Sequence, residues 1–464
     1  MIPLLTADEM RAAERQAIEG WGIPSLILQE HAALGALALL PPGEPLHILA
    51  GPGNNGGDAL ALARLARLDG RAVTVWSPFV RPEWRGDAAI QARLWQGLGG
   101  EFQNAADPAA SMGGWRGWVV DGLFGLGTTR PLDGPAATWV RALNASGLPV
   151  LALDLPSGLD PSAAEIPGEA VQATRTACFG ARKVCHGLRP ARTLCGEISV
   201  ISIPLDRTPK AGLQLLERPL LPPRDWNSHK GSFGHVAIRA GSLGMSGAAV
   251  LAALGALRVG AGLVTVLTEP EVRAEIATQV PEAMVRPWEG SVPPEVDVLL
   301  VGPGGITRVP DWAGPLVVDA SALQAGEGNR WMARPETAIT PHPGEFARLF
   351  NRARPVLTEE RMALAREVAQ GRPGVLLLKG AQSIIAGGAR EEIWVNPTGH
   401  SGLATGGSGD LLAGMVAGFR AQGLPMREAV ATAAWFHGAA ADRLPGPGLL
   451  PRDLAGLLPD LLRA

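Results

Sequence analysis

Leu46-His47-Ile48-Leu49-Ala50-Gly51-Pro52-Gly53-Asn54-Asn55-Gly56-Gly57-Asp58 is a short apolar run that ends in a glycine-rich turn, followed by a helical pattern over 58–68. A buried strand, a tight turn and a helix in that order open a strand–helix–strand unit. The same alternation continues outward from it. Thr6 and Glu9 have capping-box spacing before a helix predicted over 7–18. Further strands are predicted over 72–76, 118–121 and 150–154, with helical patterns between them. Such alternation means a parallel sheet covered on both faces. From 204 to 223 the periodicity fails and prolines accumulate, which predicts a linker. Beyond it, strands are predicted over 235–240, 263–267, 296–301 and 316–319, and a helix over 247–259. The fold class is α/β: two tandem three-layer α/β/α domains, over 1–208 and 222–464.

Composition agrees with two packed domains. The chain has 464 residues, 46% hydrophobic and 18% charged, too many for one ordinary core. A net charge of -3 without a basic run argues against a nucleic-acid partner. The opening Met1-Ile2-Pro3-Leu4-Leu5-Thr6 has no basic n-region, and 247–257 is too short to span a bilayer. A cytoplasmic protein without membrane contact is expected. Cys178, Cys185 and Cys195 are odd in number and lack CxxC spacing, so small buried residues in a reducing compartment are expected rather than zinc ligands. Of 41 basic residues only Lys183, Lys210, Lys230 and Lys379 are lysine. A lysine kept against such an arginine bias suggests a task for a compact charge.

In an open α/β sheet, ligands bind at the carboxyl ends of strands. Three predicted strands of the first half end there in polar loops: Gly51 to Asp58, Asp121 before Gly122-Leu123-Phe124-Gly125-Leu126-Gly127, and Asp154 before Leu155-Pro156-Ser157-Gly158. Any one alone could be an ordinary turn. Three at successive strand ends point to one crevice. In the second half, Thr405-Gly406-Gly407-Ser408-Gly409-Asp410 opens a helical pattern. A glycine-rich turn there aims backbone N–H groups and the positive end of a helix at one point, as a phosphate needs. Asp410 could be a plain helix cap. A carboxylate beside a phosphate site otherwise suggests a base for phosphoryl transfer to a small molecule.

The first 205 residues resemble the NAD(P)H-hydrate epimerase family through Gly51-Pro52-Gly53-Asn54-Asn55-Gly56-Gly57-Asp58, Val120-Asp121-Gly122-Leu123-Phe124-Gly125 and Asp154-Leu155-Pro156-Ser157-Gly158-Leu159-Asp160. The resemblance implies a Rossmann-like domain that interconverts the R and S hydrates, with a potassium ion held by Asn55, Asp121 and Ser157. Asn54, Asn55, Gly56, Gly57 and Asp58 would cradle the dinucleotide, together with Gly125, Leu126, Gly127, Thr128, Thr129, Arg130 and Pro131. The latter loop departs from the family's Gly-Thr-Gly-Leu pattern. Asp154 would be the acid/base; Lys183 receives no role.

Residues 225–464 resemble the ribokinase-like superfamily through the Asp410 motif. They are more similar to the ADP- or ATP-dependent NAD(P)H-hydrate dehydratases through His229-Lys230-Gly231, Thr340-Pro341-His342-Pro343-Gly344-Glu345 and Leu378-Lys379-Gly380. This implies that ADP or ATP, with Mg2+, drives dehydration of the S hydrate, and that Asp410 deprotonates the hydrate hydroxyl. Lys379, Gly380, Ala381, Gln382, Ser383 and Gly409 would contact the nucleotide. Ala248, Gly304, His342 and Asp410 would contact the hydrate. Ser383 replaces the family's usual threonine, and the loop after Gly304 lacks the usual Gly-Leu-Gly order. His342 has an alternative as a buried loop histidine. The expected partners are NAD(P)H hydrates and ADP or ATP, in a homo-oligomer. The competing reading is an ATP-dependent kinase for a vitamin precursor, with a non-catalytic ligand-binding N-domain.

Overall fold

The computed structural model describes residues 1–79, 83–104, 107–205 and 212–463. It divides into two compact units, Pro3–Leu213, and Gln214–Ala464 together with Met1–Ile2. The limit at 208, Lys210 and positions 206–211 of the expected linker lie outside the described residues. Leu213–Leu215, also within the expected linker, is a strand. Its leucines are buried while Gln214 is half-buried, a period-2 signal too short to notice among prolines.

In Pro3–Leu213, seven parallel strands run in the order Phe102–Gln103, Val73–Trp76, Leu46–Ala50, Trp118–Gly122, Val150–Leu153, Arg175–Phe179 and Glu197–Ile201. Successive residues of the central strands feed two cores, because side chains alternate across a sheet. Ile48, Val120 and Leu151 pack with the helices Ser25–Leu37 and Asn54–Leu68. Leu49, Val119 and Val150 pack instead with Trp139, Val140 and Leu143 of helix Gly134–Ser146. Each such buried side chain contributes roughly 1.5–3 kcal/mol.

Two boundaries differ from expectation. The helix expected from Asp58 begins at Asn54, so Asn54, Asn55, Gly56 and Gly57 lie in its first turns and not in a loop. Glycine is a poor helix former and disguises the start, but a Cβ at Gly56 would lie 1.9 Å from the Gly51 carbonyl oxygen. Close packing of the turn beneath the helix requires it. The first helix is regular over Ala7–Arg15, with the Thr6–Glu9 capping box formed, and continues as a π turn over Gln16–Gly20.

The second unit is also three-layered. Seven parallel strands run in the order Met284–Pro287, Leu263–Thr268, His235–Arg239, Val298–Val301, Leu316–Val318, Thr337–Ile339 and Val375–Leu378. Antiparallel Ile384–Gly387 and Ile393–Val395 extend the sheet, and Leu213–Leu215 follows them towards its edge. Helix Ser408–Ala421 packs closely on Ser246–Arg258: a Cβ at Gly414 would stand 1.9 Å from the Ala252 carbonyl oxygen, and one at Gly255 2.2 Å from that of Leu411. This contact sets where Asp410 lies. Among the described residues no helix is long and apolar enough to cross a membrane.

Candidate active sites

In the first unit the strand order reverses between Leu46–Ala50 and Trp118–Gly122, where an open α/β sheet forms its crevice. Gly51 N donates to the Gly122 carbonyl at 3.1 Å. A Cβ at Gly51 would fall 1.8 Å from the Leu123 carbonyl oxygen, so only glycine fits. Asp121, fully buried, accepts from Ser157 Oγ at 2.7 Å, Ser157 N at 2.8 Å and Leu123 N at 3.2 Å. Burial pushes its carboxyl up to about 6, against the pull of those hydrogen bonds. Asn55 Nδ2 donates to the Phe124 carbonyl at 2.9 Å, whereas the buried Asn55 Oδ1 has no hydrogen-bond partner among the described residues. Ser157 Oγ lies 3.1 Å from the same Phe124 carbonyl.

Asn55, Asp121, Ser157 and the Phe124 carbonyl are therefore a knot of hard oxygens with one acceptor left over. A buried acceptor without a partner costs roughly 1–3 kcal/mol. The donor set is oxygen only, with one carboxylate and no soft ligand, which fits an alkali cation. Gly125 packs on Asn55, since a Cβ there would be 3.3 Å from the Asn55 side chain. Leu126 O accepts from Arg11 Nη2 at 2.8 Å, and Thr128 N donates to Gly125 O at 3.2 Å. Gly127, Thr129, Arg130 and Pro131 form the exposed outer part of this loop.

Asp154 follows strand Val150–Leu153 with φ 64, a left-handed backbone that a non-glycine residue adopts at a cost. Its carboxylate is ion-paired with Lys183, which is fully buried, and accepts from Phe179 N at 3.2 Å. Lys183 Nζ also donates to the Phe179 carbonyl at 2.8 Å. Burial alone would discharge this lysine, but the charge on Asp154 overrides it and raises the ammonium pKa. Lys183 thus holds Asp154 in place, a role the sequence did not reveal beyond the scarcity of lysine.

In the second unit the carboxyl ends of three neighbouring strands meet the start of helix Ser408–Ala421. Asp410 stands in its first turn, behind Gly407 at φ 90. Lys379 Nζ donates to Asp319 Oδ1 at 2.9 Å and lies 4.0 Å from Glu345 Oε2. A Cβ at Gly409 would be 3.2 Å from the same Nζ, so the ammonium sits against the helix start. Thr340 Oγ1 donates to Asp319 at 2.7 Å. Burial pushes the Asp410 carboxyl up to about 7; the charges of Asp319 and Glu345 add to this and that of Lys379 opposes it.

His342 is the N-cap of helix Pro343–Phe350. Its Nδ1 accepts from Gly344 N at 3.0 Å and Glu345 N at 3.3 Å, while Glu345 accepts from His342 N at 2.8 Å. Its side chain is 52% exposed, which rules out the buried loop histidine. Gly304, at φ 72, crosses the turn before helix Ser246–Arg258: Ser242 Oγ donates to its carbonyl at 2.8 Å. Ala248 lies in that helix's first turn. Leu251 of the same helix touches Gly407, a Cβ there falling 2.4 Å from Leu251 Cδ1. Gly380, Ala381, Gln382 and Ser383 join Val375–Leu378 to Ile384–Gly387. Buried Arg361 anchors this turn through the Gln382 carbonyl at 2.8 Å.

Asp319, Thr340, Glu345 and Arg361 had no role that residue order alone revealed. Asp319 was visible at a strand end and Glu345 in the segment Thr340 to Glu345, but only the parallel register of Leu316–Val318 with Thr337–Ile339, and of Thr337–Ile339 with Val375–Leu378, shows that they share Lys379.

Two α/β/α units, one with an oxygen-lined crevice and one with a carboxylate at a glycine-rich helix start, define a two-site enzyme of small-molecule chemistry. The family model for NAD(P)H-hydrate dehydratases matches residues 236–458, and that for YjeF-related N-terminal domains matches 27–185. The bifunctional NAD(P)H-hydrate repair enzyme Nnr of Moorella thermoacetica is 35% identical over 99% of this chain and 96% of its own length. That of Coxiella burnetii is 34% identical over 98% of each. An ADP/ATP-dependent NAD(P)H-hydrate dehydratase from Bacillus subtilis, solved with ATP/Mg2+, is 33% identical with a TM-score of 0.48, covering 52% of this chain and 94% of its own. The chain belongs to the bifunctional NAD(P)H-hydrate repair enzymes.

Proposed function

We propose that residues 1–208 epimerise the R and S hydrates of NAD(P)H, and that residues 222–464 dehydrate the S form to NAD(P)H with ADP or ATP. The observation that carries the second half is Asp410, raised to about 7 beside Lys379 at a glycine-rich helix start. A base poised near neutrality can take the hydroxyl proton of the hydrate. The freed oxygen attacks the terminal phosphorus, whose bond to the nucleotide breaks. Loss of the resulting phosphate and of the neighbouring ring proton restores the double bond. Backbone N–H groups of Gly407, Ser408 and Gly409 would bind the transferring phosphoryl group, and Lys379 would add charge there. Gly380, Ala381, Gln382 and Ser383 would line the nucleotide, and Ala248, Gly304 and His342 the hydrate. Mg2+ would arrive with the nucleotide and neutralise its phosphates.

In the first unit Asp154 would be the acid/base at the epimerised carbon, with Lys183 fixing its position. Potassium would be held by Asn55, Asp121 and Ser157, with the unpaired Asn55 Oδ1 as the supporting observation; when bound it supplies positive charge near the dinucleotide phosphates. Asn54, Gly56, Gly57, Asp58 and the loop 125–131 would cradle the dinucleotide. The three buried free cysteines fit a reducing cytoplasm.

The test uses two variants and a mixed R/S hydrate of NADH with ADP or ATP, following the absorbance of restored NADH. Asp154→Asn should restore the S fraction and then stall at spontaneous epimerisation. Asp410→Asn should equilibrate the epimers without making NADH, and mixing the two should recover full repair. A phosphorylated product that accumulates without NADH would favour a small-molecule kinase.

A further inference from the structure

Helix Ala7–Arg15 lies over the first unit's crevice and is tied there at several points. Its preceding strand residue Leu5 pairs with Lys183, and Leu5 N donates to the Arg182 carbonyl at 2.9 Å. Ala7 N donates to Ser162 Oγ at 2.8 Å, and Arg11 Nη2 to Leu126 O at 2.8 Å. Met10 packs on Gly180, where a Cβ would be 3.1 Å from Met10 Cε. The inward face of this segment reads Ala7, Met10, Glu14, Ala17, one helical stripe. Ala7, Met10 and Ala17 are buried, and Glu14 is half-buried among them. An apolar residue would complete that stripe. Instead the position carries a carboxylate that makes no hydrogen bond among the described residues and feels the charges of Asp154 and Lys183 from the crevice and of Arg11 from its own helix. Asp58, on helix Asn54–Leu68, also feels the charges of Asp154 and Glu14.

We propose that Glu14 is a second catalytic group of this site, the acid that serves the ring nitrogen of the hydrate while Asp154 serves its hydroxyl. The proposal rests on the reading of this unit as the epimerase. Adding water across the ring double bond next to nitrogen makes a carbinolamine, whose hydroxyl-bearing carbon is bonded to that nitrogen. Asp154 takes the hydroxyl proton and the oxygen pair forms a carbonyl. The carbon–nitrogen bond breaks, its electron pair goes to nitrogen, and Glu14 protonates it. Rotation presents the other face of the aldehyde. Reclosure returns one proton to Glu14 and the other from Asp154 to the new hydroxyl, so no co-reactant is consumed. Burial, and then the charge of Asp154, push Glu14 up to about 7, against Lys183 and Arg11, so it carries a proton to give at neutral pH.

The experiment follows epimerisation of R hydrate by the full-length chain from pH 5.5 to 8.5 in wild type, Glu14→Gln and Glu14→Asp. Dehydration of pure S hydrate in the same samples reports the second unit, and the denaturant unfolding transition of the first unit, unchanged from wild type, shows that the unit carrying Glu14 is folded. Wild-type epimerisation should fall as pH rises through about 7. Glu14→Gln should lose about 100-fold or more in kcat and that descending limb. Glu14→Asp should keep the limb and part of the rate. Wild-type kcat in Glu14→Gln overturns the proposal. So does a loss confined to KM, or a loss that leaves the pH profile unchanged, since a merely structural glutamate would do that. If Asp154→Asn also epimerises at the wild-type rate, the epimerase assignment itself has failed, and that result separates the two.

Discussion

Asp410→Asn should stabilise the second unit while removing its chemistry. The carboxyl is raised from the ordinary 3.8 to about 7 by burial and by Asp319 and Glu345. A raised carboxyl pKa means that the folded state holds its proton where the unfolded chain has released it. Stability is therefore lost progressively as pH climbs from about 4 to about 7 and stays low above that. The gap of about 3 pH units, at 1.36 kcal/mol each, sets an upper bound of ~4 kcal/mol at pH 8. Asp410 is half-buried and faces Lys379, so ~2 kcal/mol is the expected gain of the neutral asparagine. For a unit of this size that raises Tm by roughly 4–8 °C at pH 8, fading towards nothing near pH 4. The same samples should lose roughly 100-fold or more of nucleotide-dependent dehydration. Calorimetry across pH 4 to 8 with a single-turnover NADH assay reads both. A gain over wild type no larger at pH 8 than at pH 4, or an asparagine variant that still dehydrates at near wild-type rate, would refute the picture of a strained, poised base.

Lys183→Met strands the buried Asp154 carboxylate without its cation, and denaturant unfolding of the first unit should show a loss of about 3–5 kcal/mol. Replacing potassium by sodium or lithium should slow epimerisation in wild type. Asn55→Ala should be slow in all three salts, and equal wild-type rates without potassium would remove the ion from the site. Gly304→Ala must tolerate φ 72 and place its Cβ 2.6 Å from the Met245 carbonyl oxygen. That costs roughly 1–3 kcal/mol and should raise the KM for the S hydrate while leaving epimerisation untouched, as steady-state assays of both activities would show.

Much of the architecture could be read from residue order alone. Apolar runs such as Val150 to Leu153 and Leu376 to Leu378 are buried on both faces, so they announce a parallel sheet without any partner being known. Asp121, Asp154, Asp319 and Lys379 stand just at or beyond strand ends, where such sheets bind ligands, so their chemistry was local enough to notice. Helix boundaries near glycine were less legible. Gly56 and Gly57 weaken helix propensity in isolation, but in the fold they are what lets Asn54–Leu68 press onto the turn at Gly51. Pairings across the sheet were not legible at all. Lys183 meets Asp154 from 29 positions away, and Lys379 meets Asp319 from 60, because register between strands, not distance along the chain, decides which charges share a low-dielectric site. The raised carboxyls of Asp410 and Glu14 are likewise properties of burial, which depends on what packs over a residue and not on the residue itself.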